Sequence, residues 1–488
     1  MVLLKNIDVG CWRYYLFICK LENISFLLFD FLHTMSSIKN YFFIGIAGTG
    51  MSAIAQYLKA AGNEVAGSDR QFIPGEDNET RSALEAEGII CYSQGGSGIS
   101  DQTDIVVVST AIEDSVPEVQ EAKRLGKPIL KRSELLAQLV TTKKTIAIGG
   151  TSGKSTTTAM LYEILVYAGL KPSVIGGAGL TRLIREGKIG NASYGEGEWL
   201  VIEADESDGS IVQYHPEIGV LLNVDKDHQD IDVLMDLFRV FKKNSKTFIV
   251  NKSQSLSASL SSDSPWDFDC GSSASTKISA TDFHQTGSSI SFMVAAESFR
   301  LNSPGSHTME NALAAIAVAQ SLGVSLSDCK EALASYEGIF RRHQVYGEKH
   351  GVVLIDDFAH NPVKCARSIQ ACQPFSDKLI AWFQPHGYGP TRFLRHDFVE
   401  EFAKVLRSGD EIWMSEIYYA GGTAVKDISA NDLIEDLKHR GVNAFFVLDR
   451  NDLVEQIRPH FTNSTTVLLM GARDPSLGEF ARQVWDSI

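Results

Sequence analysis

From residue 41 onward the chain alternates short apolar runs with longer amphipathic stretches, and glycine turns separate the two. YFFIGI at 41–46 carries no charged side chain, and a short run rich in aromatic and β-branched residues reads as a strand buried on both faces. The text at 51–61 continues as a helix, and 64–67 as a second strand ending at Ser68-Asp69. Apolar runs at 104–109 and 128–130, each preceded by a helical segment, extend the series. A second series opens at 145 with TIAIGG, a glycine loop and a helix over 156–168, followed by strands at 199–203, 218–223 and 248–251. A third runs through 352–356, 378–384, 411–415, 444–448 and 466–470. Repeated strand–helix alternation implies parallel sheets flanked by helices. The expected fold is therefore α/β with three domains, 35–140, 141–340 and 341–488, each built on a mainly parallel sheet. Between 252 and 277 the text turns serine-rich and reads as a surface loop, because the strand-like SISFMV and SFRLN follow it. Helices at 310–323 and 327–335 close that segment.

Residues 1–34 differ from the rest. Phe, Leu, Trp and Tyr crowd 11–33, but Arg13, Lys20, Glu22 and Asp30 break the apolar runs well short of the roughly 20 residues a membrane helix needs. No small-residue cleavage site follows an apolar core, which argues against a secretory signal. The pattern changes at Met35, so the expectation is a natural start there, with 1–34 arising from an upstream start codon. The other reading is a membrane-surface or partner-binding arm.

Charge narrows the partners. The 488 residues hold 60 acidic and 45 basic side chains, a net charge of −15, which argues against a nucleic-acid-binding face. The seven cysteines are scattered without a CxxC pair, as expected of reduced thiols in a cytoplasmic protein with no zinc finger. A small, locally positive site for an anionic substrate remains open.

Two glycine turns supply such sites. Gly149-Gly150-Thr151-Ser152-Gly153-Lys154-Ser155-Thr156 lies between a strand and a helix. Glycines let backbone N–H groups close around phosphates at a helix N-terminus, while Lys154 neutralises phosphate charge and the Ser155 hydroxyl suits Mg²⁺. The spacing is one residue shorter than the usual GxxxxGK[ST] form. Gly45-Ile46-Ala47-Gly48-Thr49-Gly50 follows the first strand, with Asp69 at the end of the second, a relative of the dinucleotide fingerprint that keeps an oxidoreductase in contention. Glu203-Ala204-Asp205-Glu206-Ser207-Asp208 ends a strand of the second series and offers hard oxygen ligands. In Asn223-Val224-Asp225-Lys226-Asp227-His228, the histidine is a candidate ligand for a second cation or a phosphate.

Together, GIAGTGMSAIA with GSD, VVVSTAI, GGTSGKSTTTAM, IEADESD, NVDKDHQD, PGSHTMENALAA, RRHQ, IDDFAHNP, FQPH…TR and YYAGG resemble the Mur ligase family. Its members are the ATP-dependent enzymes of cytoplasmic peptidoglycan-precursor synthesis, and the resemblance spans about 38–484. It implies a Rossmann-like UDP-sugar domain, a P-loop ATPase domain and a Rossmann-like acceptor domain. VVVSTAIEDSVPEV, EADESDGS and FQPH look most like the branch that joins L-alanine to the lactyl carboxylate of UDP-N-acetylmuramate through an acyl phosphate. ATP and Mg²⁺ are the implied cofactors, and a monomer or homodimer with no integral membrane segment is expected.

By the same resemblance, Gly45, Gly48, Gly50, Ser68, Asp69, Ser109 and Thr110 would line the UDP-sugar pocket. Gly150, Thr151, Gly153, Lys154, Ser155 and Thr156 would hold the ATP phosphates, with Asn311 at adenine, Asp357 at ribose and Arg342 at the γ-phosphate. Ser155 and Glu203 would take the first metal, His228 the second, and His360 would stand near the reacting groups. The second phosphate loop leaves a hydride-transfer enzyme without a use for it, so the oxidoreductase reading falls. Departures concentrate elsewhere. Ser152 and Ser155 replace the family's histidine and threonine, Asn361 replaces a histidine and Thr308 an asparagine. Gly387 and Pro390 stand where the family carries two arginines, with Arg392 and Arg395 only nearby. An altered acceptor, an amino acid other than alanine or a short peptide, is therefore one alternative, and a non-catalytic nucleotide-sugar-binding paralogue another.

Overall fold

The structure is a computed structural model that describes residues 38–95, 98–109, 112–225, 230–271, 276–419 and 425–488. The expectations placed on residues 1–34, Thr110 and His228 lie outside the described residues.

The architecture is a three-domain α/β fold. The first sheet is wholly parallel, ordered Ile90–Ser93, Glu64–Asp69, Asn40–Ile44, Ile105–Val108, Ile129–Lys131. Its strand Ile90–Ser93 escapes the apolar-run reading because it is a short edge strand in which only Cys91 is buried.

The second sheet is ordered Thr247–Val250, Ile218–Leu221, Lys144–Gly149, Trp199–Glu203, Ser173–Ile175, Ala192–Ser193, parallel except at the last strand. Lys144–Gly149 is thus flanked by the two strands that lead into the acid-rich segments. This places the glycine loop, Glu203 and Asn223 at one end of the sheet, where ligands of open α/β folds bind.

A fourth, smaller sheet corrects the expectation of one mainly parallel sheet per domain. Ile278–Thr286, Ser289–Val294 and Glu297–Leu301 form an antiparallel meander, with Phe268–Asp269 at its edge. Their alternating burial covers one face of the helix Ser306–Ser321. The serine-rich stretch is correspondingly not one loop: it holds the short helix Ser255–Ala258 and that edge strand.

Ser306–Ser321 packs against Lys154–Tyr167, the helix that follows the glycine loop. Ala312, Ala314, Ala315, Ala317 and Ala319 are fully buried, and their small side chains allow close approach of neighbouring backbones. Leu313 and Ile316 at the same contact contribute about 1.5–3 kcal/mol each by burial. The glycine loop therefore sits on a closely packed helix pair.

The third sheet is ordered Gln344–Lys349, Val352–Asp357, Thr465–Gly471, Lys378–Gln384, Glu411–Ser415, Ala444–Val447, parallel except at its first strand. Among the described residues no helix is long and apolar enough to cross a membrane.

Polar contacts join the first two sheets. Gln56 Nε2 donates to Asn191 Oδ1 at 2.8 Å, and Asn191 Nδ2 donates to the Thr49 carbonyl at 2.7 Å. Arg132 pairs with Asp208 at 3.2 Å, linking the first glycine turn to the acid-rich loop of the second domain.

Candidate active site

The glycine loop after Lys144–Gly149 is held in place by one side chain. Asn223 Oδ1 accepts from Thr151 Oγ1 at 2.9 Å and from Ser152 N at 2.8 Å, while its Nδ2 donates to the Ser152 carbonyl at 3.0 Å. Thr151 Oγ1 accepts in turn from Asp225 N. The Thr151 hydroxyl is thus engaged in shaping the loop. Gly153 has φ 86°, and a Cβ there would lie 2.2 Å from Asn311 Oδ1, so only glycine allows this contact. The helix that begins at Lys154 has no side-chain cap, which leaves first-turn N–H groups for an anion.

Lys154 Nζ lies 2.7 Å from Glu206 Oε2 and 2.7 Å from the Gly150 carbonyl. Burial alone would lower its pKa, but the charges of Glu206, Asp205 and Glu203 outweigh burial and raise it, so the ammonium is firmly charged. Ser155 Oγ is 3.0 Å from Glu203 Oε2, and Glu203 Oε1 accepts from Gly177 N at 2.6 Å. A hydroxyl and a carboxylate side by side are hard oxygen donors that fit Mg²⁺, which keeps several waters and takes few protein ligands beside phosphate oxygens. Among the described residues no cluster of three or more His, Cys, Asp or Glu could hold a metal ion.

The segment leading into the third sheet adds cations. Arg341 and His343 both adopt left-handed backbone, φ 55° and 47°, so three consecutive side chains are splayed apart. Arg341 turns inward onto Asp356, at 2.8 and 3.2 Å, and onto the Gly471 carbonyl at 2.9 Å. Arg342 lies over the Phe358 ring, 4.8 Å from its centroid, in the wall of a cleft. Burial pushes its pKa below the usual value even though Asp357 and Glu203 face it. Burial would raise Asp357, but His343 and Arg342, with hydrogen bonds from Ser368 and the His343 backbone, reverse this and hold its carboxyl below the usual range.

That cleft, with a cavity volume of about 100 Å³, opens between the second and third domains, and Gly153, Thr156, Asn311, Arg342 and Asp357 line it. Sequence reasoning missed several of its residues. His307, whose ring centroid is 5.0 Å from that of His343, has its pKa lowered to about 3 by burial and by the charges of His343 and Arg367. Lys364 and Arg367 come from the helix Pro362–Cys372, where their three-residue spacing was the available signal. Tyr336 brings a buried hydroxyl without a partner.

The first glycine turn is a separate site. Asp69 uses both carboxylate oxygens on backbone, accepting from Ala47 N and from Gln71 N at 2.9 Å each. Gly45 N and Ile46 N donate to the Ser68 carbonyl, while the Ser68 hydroxyl is buried without a partner. Gly48 starts the helix Thr49–Ala60 without a side-chain cap. A Cβ on Gly50 would meet Arg132 at 3.1 Å, which brings an unforeseen cation to this turn. Ser109 follows Ile105–Val108, and its carbonyl accepts from Ile112 N.

His360 lies beyond the cleft, in a small pocket with His386; the two ring centroids are 5.6 Å apart. Asn361 lines this pocket too, and its side chain accepts from Lys364 N and caps the helix Pro362–Cys372. Arg392 pairs with Asp427 and Arg395 with Asp436, so neither is available to this pocket.

Family models match most of the chain: "Mur ligase family, catalytic domain" at 40–144, "Mur ligase middle domain" at 148–319 and "Mur ligase, glutamate ligase domain" at 341–473. A UDP-N-acetylmuramate–L-alanine ligase of Geobacter sulfurreducens is 34% identical over 452 residues, 89% of this chain and 95% of its own. One from a Synechococcus strain is 32% identical over 471 residues, covering 91% and 94%. The crystal structure of the UDP-N-acetylmuramate–alanine ligase of Thermotoga maritima superposes with a TM-score of 0.75 at 26% identity, covering 92% of this chain and 99% of its own.

Proposed function

The chain belongs to the Mur ligase family, and from that premise we propose that it joins L-alanine to the lactyl carboxylate of UDP-N-acetylmuramate at the expense of ATP. The observation that carries the proposal is the single cleft in which the phosphate loop meets Arg342 and Asp357 from a different domain.

A carboxylate is a poor acyl electrophile. Its oxygen first attacks the γ-phosphorus of ATP, ADP leaves, and an acyl phosphate results. The amine of alanine then attacks the acyl carbon, the carbon–oxygen bond breaks, and phosphate departs. The difficulty is charge, since one anion must approach another. Lys154 and Arg342 neutralise the transferring phosphoryl group from two sides. The uncapped N–H groups at Lys154 orient the β- and γ-phosphates. Ser155 and Glu203 would hold Mg²⁺, which supplies further positive charge to the phosphates when bound. Asn311 and Asp357 bound the nucleoside end. The turn at Gly45–Gly50, with Arg132 beside it, receives the diphosphate of the sugar nucleotide. His360 and His386 stand beside the incoming amine.

A different acceptor, such as the tripeptide of a recycling ligase, is the competing reading, favoured by the engagement of Arg392 and Arg395 with Asp427 and Asp436. One assay separates the two: phosphate release from ATP with UDP-N-acetylmuramate across single amino acids and short peptides. Release with L-alanine is expected. Release only with other acceptors would replace alanine, and none with any acceptor would contradict ligase activity.

A further inference from the structure

We propose that Arg473 is the cation that binds the carboxylate of the incoming amino acid, an assignment that rests on the ligase reading above. An amino acid brings a carboxylate that must leave water to place its amine against the acyl carbon, and a desolvated carboxylate requires a cationic donor.

Strand register locates the residue. Met470 pairs with Asp357 on one side and with Phe383 on the other. Beyond the paired residues, Arg473 lies in the segment that leaves the middle strand, flanked by the segments that leave its two neighbours and carry His360 and His386, each three residues beyond these paired positions. The two histidine rings are 5.6 Å apart across this end of the sheet. It is the carboxyl end of parallel strands, where ligands bind in open α/β folds.

The local backbone presents the side chain to solvent. Arg473 is exposed with φ 68°, a conformation that side chains other than glycine, asparagine and aspartate seldom adopt. The following Asp474 is buried and anchored by Arg450 at 2.6 Å and by the Ser476 hydroxyl at 2.5 Å, so the turn is fixed from below.

Five other arginines of this domain are held in ion pairs, Arg341 with Asp356, Arg392 with Asp427, Arg395 with Asp436, Arg407 with Asp410 and Arg450 with Asp474, while Arg342 and Arg367 line the cleft toward the second domain. Arg473 makes no side-chain hydrogen bond or ion pair among the described residues. Around the histidine pocket, Phe383, Pro385, Pro390, Leu394 and Phe398 form apolar walls, and the polar neutral side chains Asn361 and Thr391 complete the lining without bringing a full positive charge.

The test compares L-alanine with L-alaninamide, which keeps the amine and loses the carboxylate charge, in the wild type and in Arg473→Gly. Glycine adopts φ 68° without strain, so the variant folds, as a thermal melt will show. The KM for L-alanine should rise about 10- to 100-fold, the scale of a lost hydrogen-bonded charge contact, with the KM for ATP and UDP-N-acetylmuramate unchanged. The preference for alanine over alaninamide should collapse in Arg473→Gly and return in part in Arg473→Lys. An active wild type whose preference survives Arg473→Gly overturns this assignment alone. A wild type inactive with every amino acid overturns the ligase reading and the assignment with it.

Discussion

The proposed nucleotide cleft and the proposed acceptor pocket lie at the same end of the third domain's sheet, yet they treat charge in opposite ways. In and behind the walls of the cleft, side chains from separate elements oppose one another inside the protein: Lys154 meets Glu206, Arg341 meets Asp356 beneath the surface, and Arg342 faces Asp357 and Glu203. At the acceptor end, Arg392 and Arg395 form half-exposed pairs on the outer face of their helix, and the pocket is walled by Phe383, Leu394 and Phe398. A polyanion in transit needs positive charge fixed before it arrives, because charges that reorganise during reaction stabilise the transition state less. A small amino acid needs an apolar wall and one cation at the rim.

This contrast can be broken from its strongest point downward. Arg341→Met leaves Asp356 buried and uncompensated, and unfolding stability should fall by about 3–5 kcal/mol in denaturant titration. An Arg341→Met/Asp356→Leu double variant should recover much of that loss. Lys154→Ala should lower kcat by about 100- to 1,000-fold in the phosphate-release assay, the scale of a removed electrostatic donor. Adding Glu206→Gln to it should restore stability and leave activity lost; recovered activity would show that the pair is only structural.

The next effect is read in acid. The pKa of His307 is lowered to about 3 by burial and neighbouring cations, against an ordinary value of about 6.5. The unfolded chain therefore takes up the proton first as pH falls. The stabilisation is complete above about pH 6.5 and is lost between there and about pH 3, with a slope of up to about 1.4 kcal/mol per pH unit. His307→Asn should flatten this part of the stability profile. The smallest effect belongs to the acceptor end: Arg395→Ala breaks a half-exposed pair and should cost less than about 1 kcal/mol, with unchanged KM values. A raised KM for the amino acid would place Arg395 in the site and dissolve the contrast.

Legibility in the sequence follows the same division. The glycine loop could be singled out because its chemistry is contiguous: Gly149 to Thr156 carries glycines, lysine and hydroxyl in one strand-to-helix turn. Its dependence on Asn223 could not, since that contact joins neighbouring strands 72 residues apart. Arg341 and Arg342 are indistinguishable as letters, and only their backbone angles send one to Asp356 and the other to the cleft. The spacing of Lys364 and Arg367 puts them on one helix face, but that His307 shares a wall with them follows from tertiary packing that no local spacing encodes. Asp69 shows the reverse case, a residue singled out for a ligand whose oxygens are engaged in holding the turn. Long buried strands such as Lys378–Gln384 and Trp199–Glu203 announced themselves by apolar runs, while the half-exposed Ile90–Ser93 did not.

The central claim is that this cleft activates a carboxylate by phosphorylating it. It is tested most directly by supplying UDP-N-acetylmuramate labelled with ¹⁸O in the lactyl carboxylate, together with ATP and L-alanine, and weighing the phosphate released. Attack by the carboxylate leaves its oxygen bonded to phosphorus when the amine displaces it, so one ¹⁸O per phosphate is expected. Phosphate released without the label would mean that water attacks ATP in this cleft and would contradict the account.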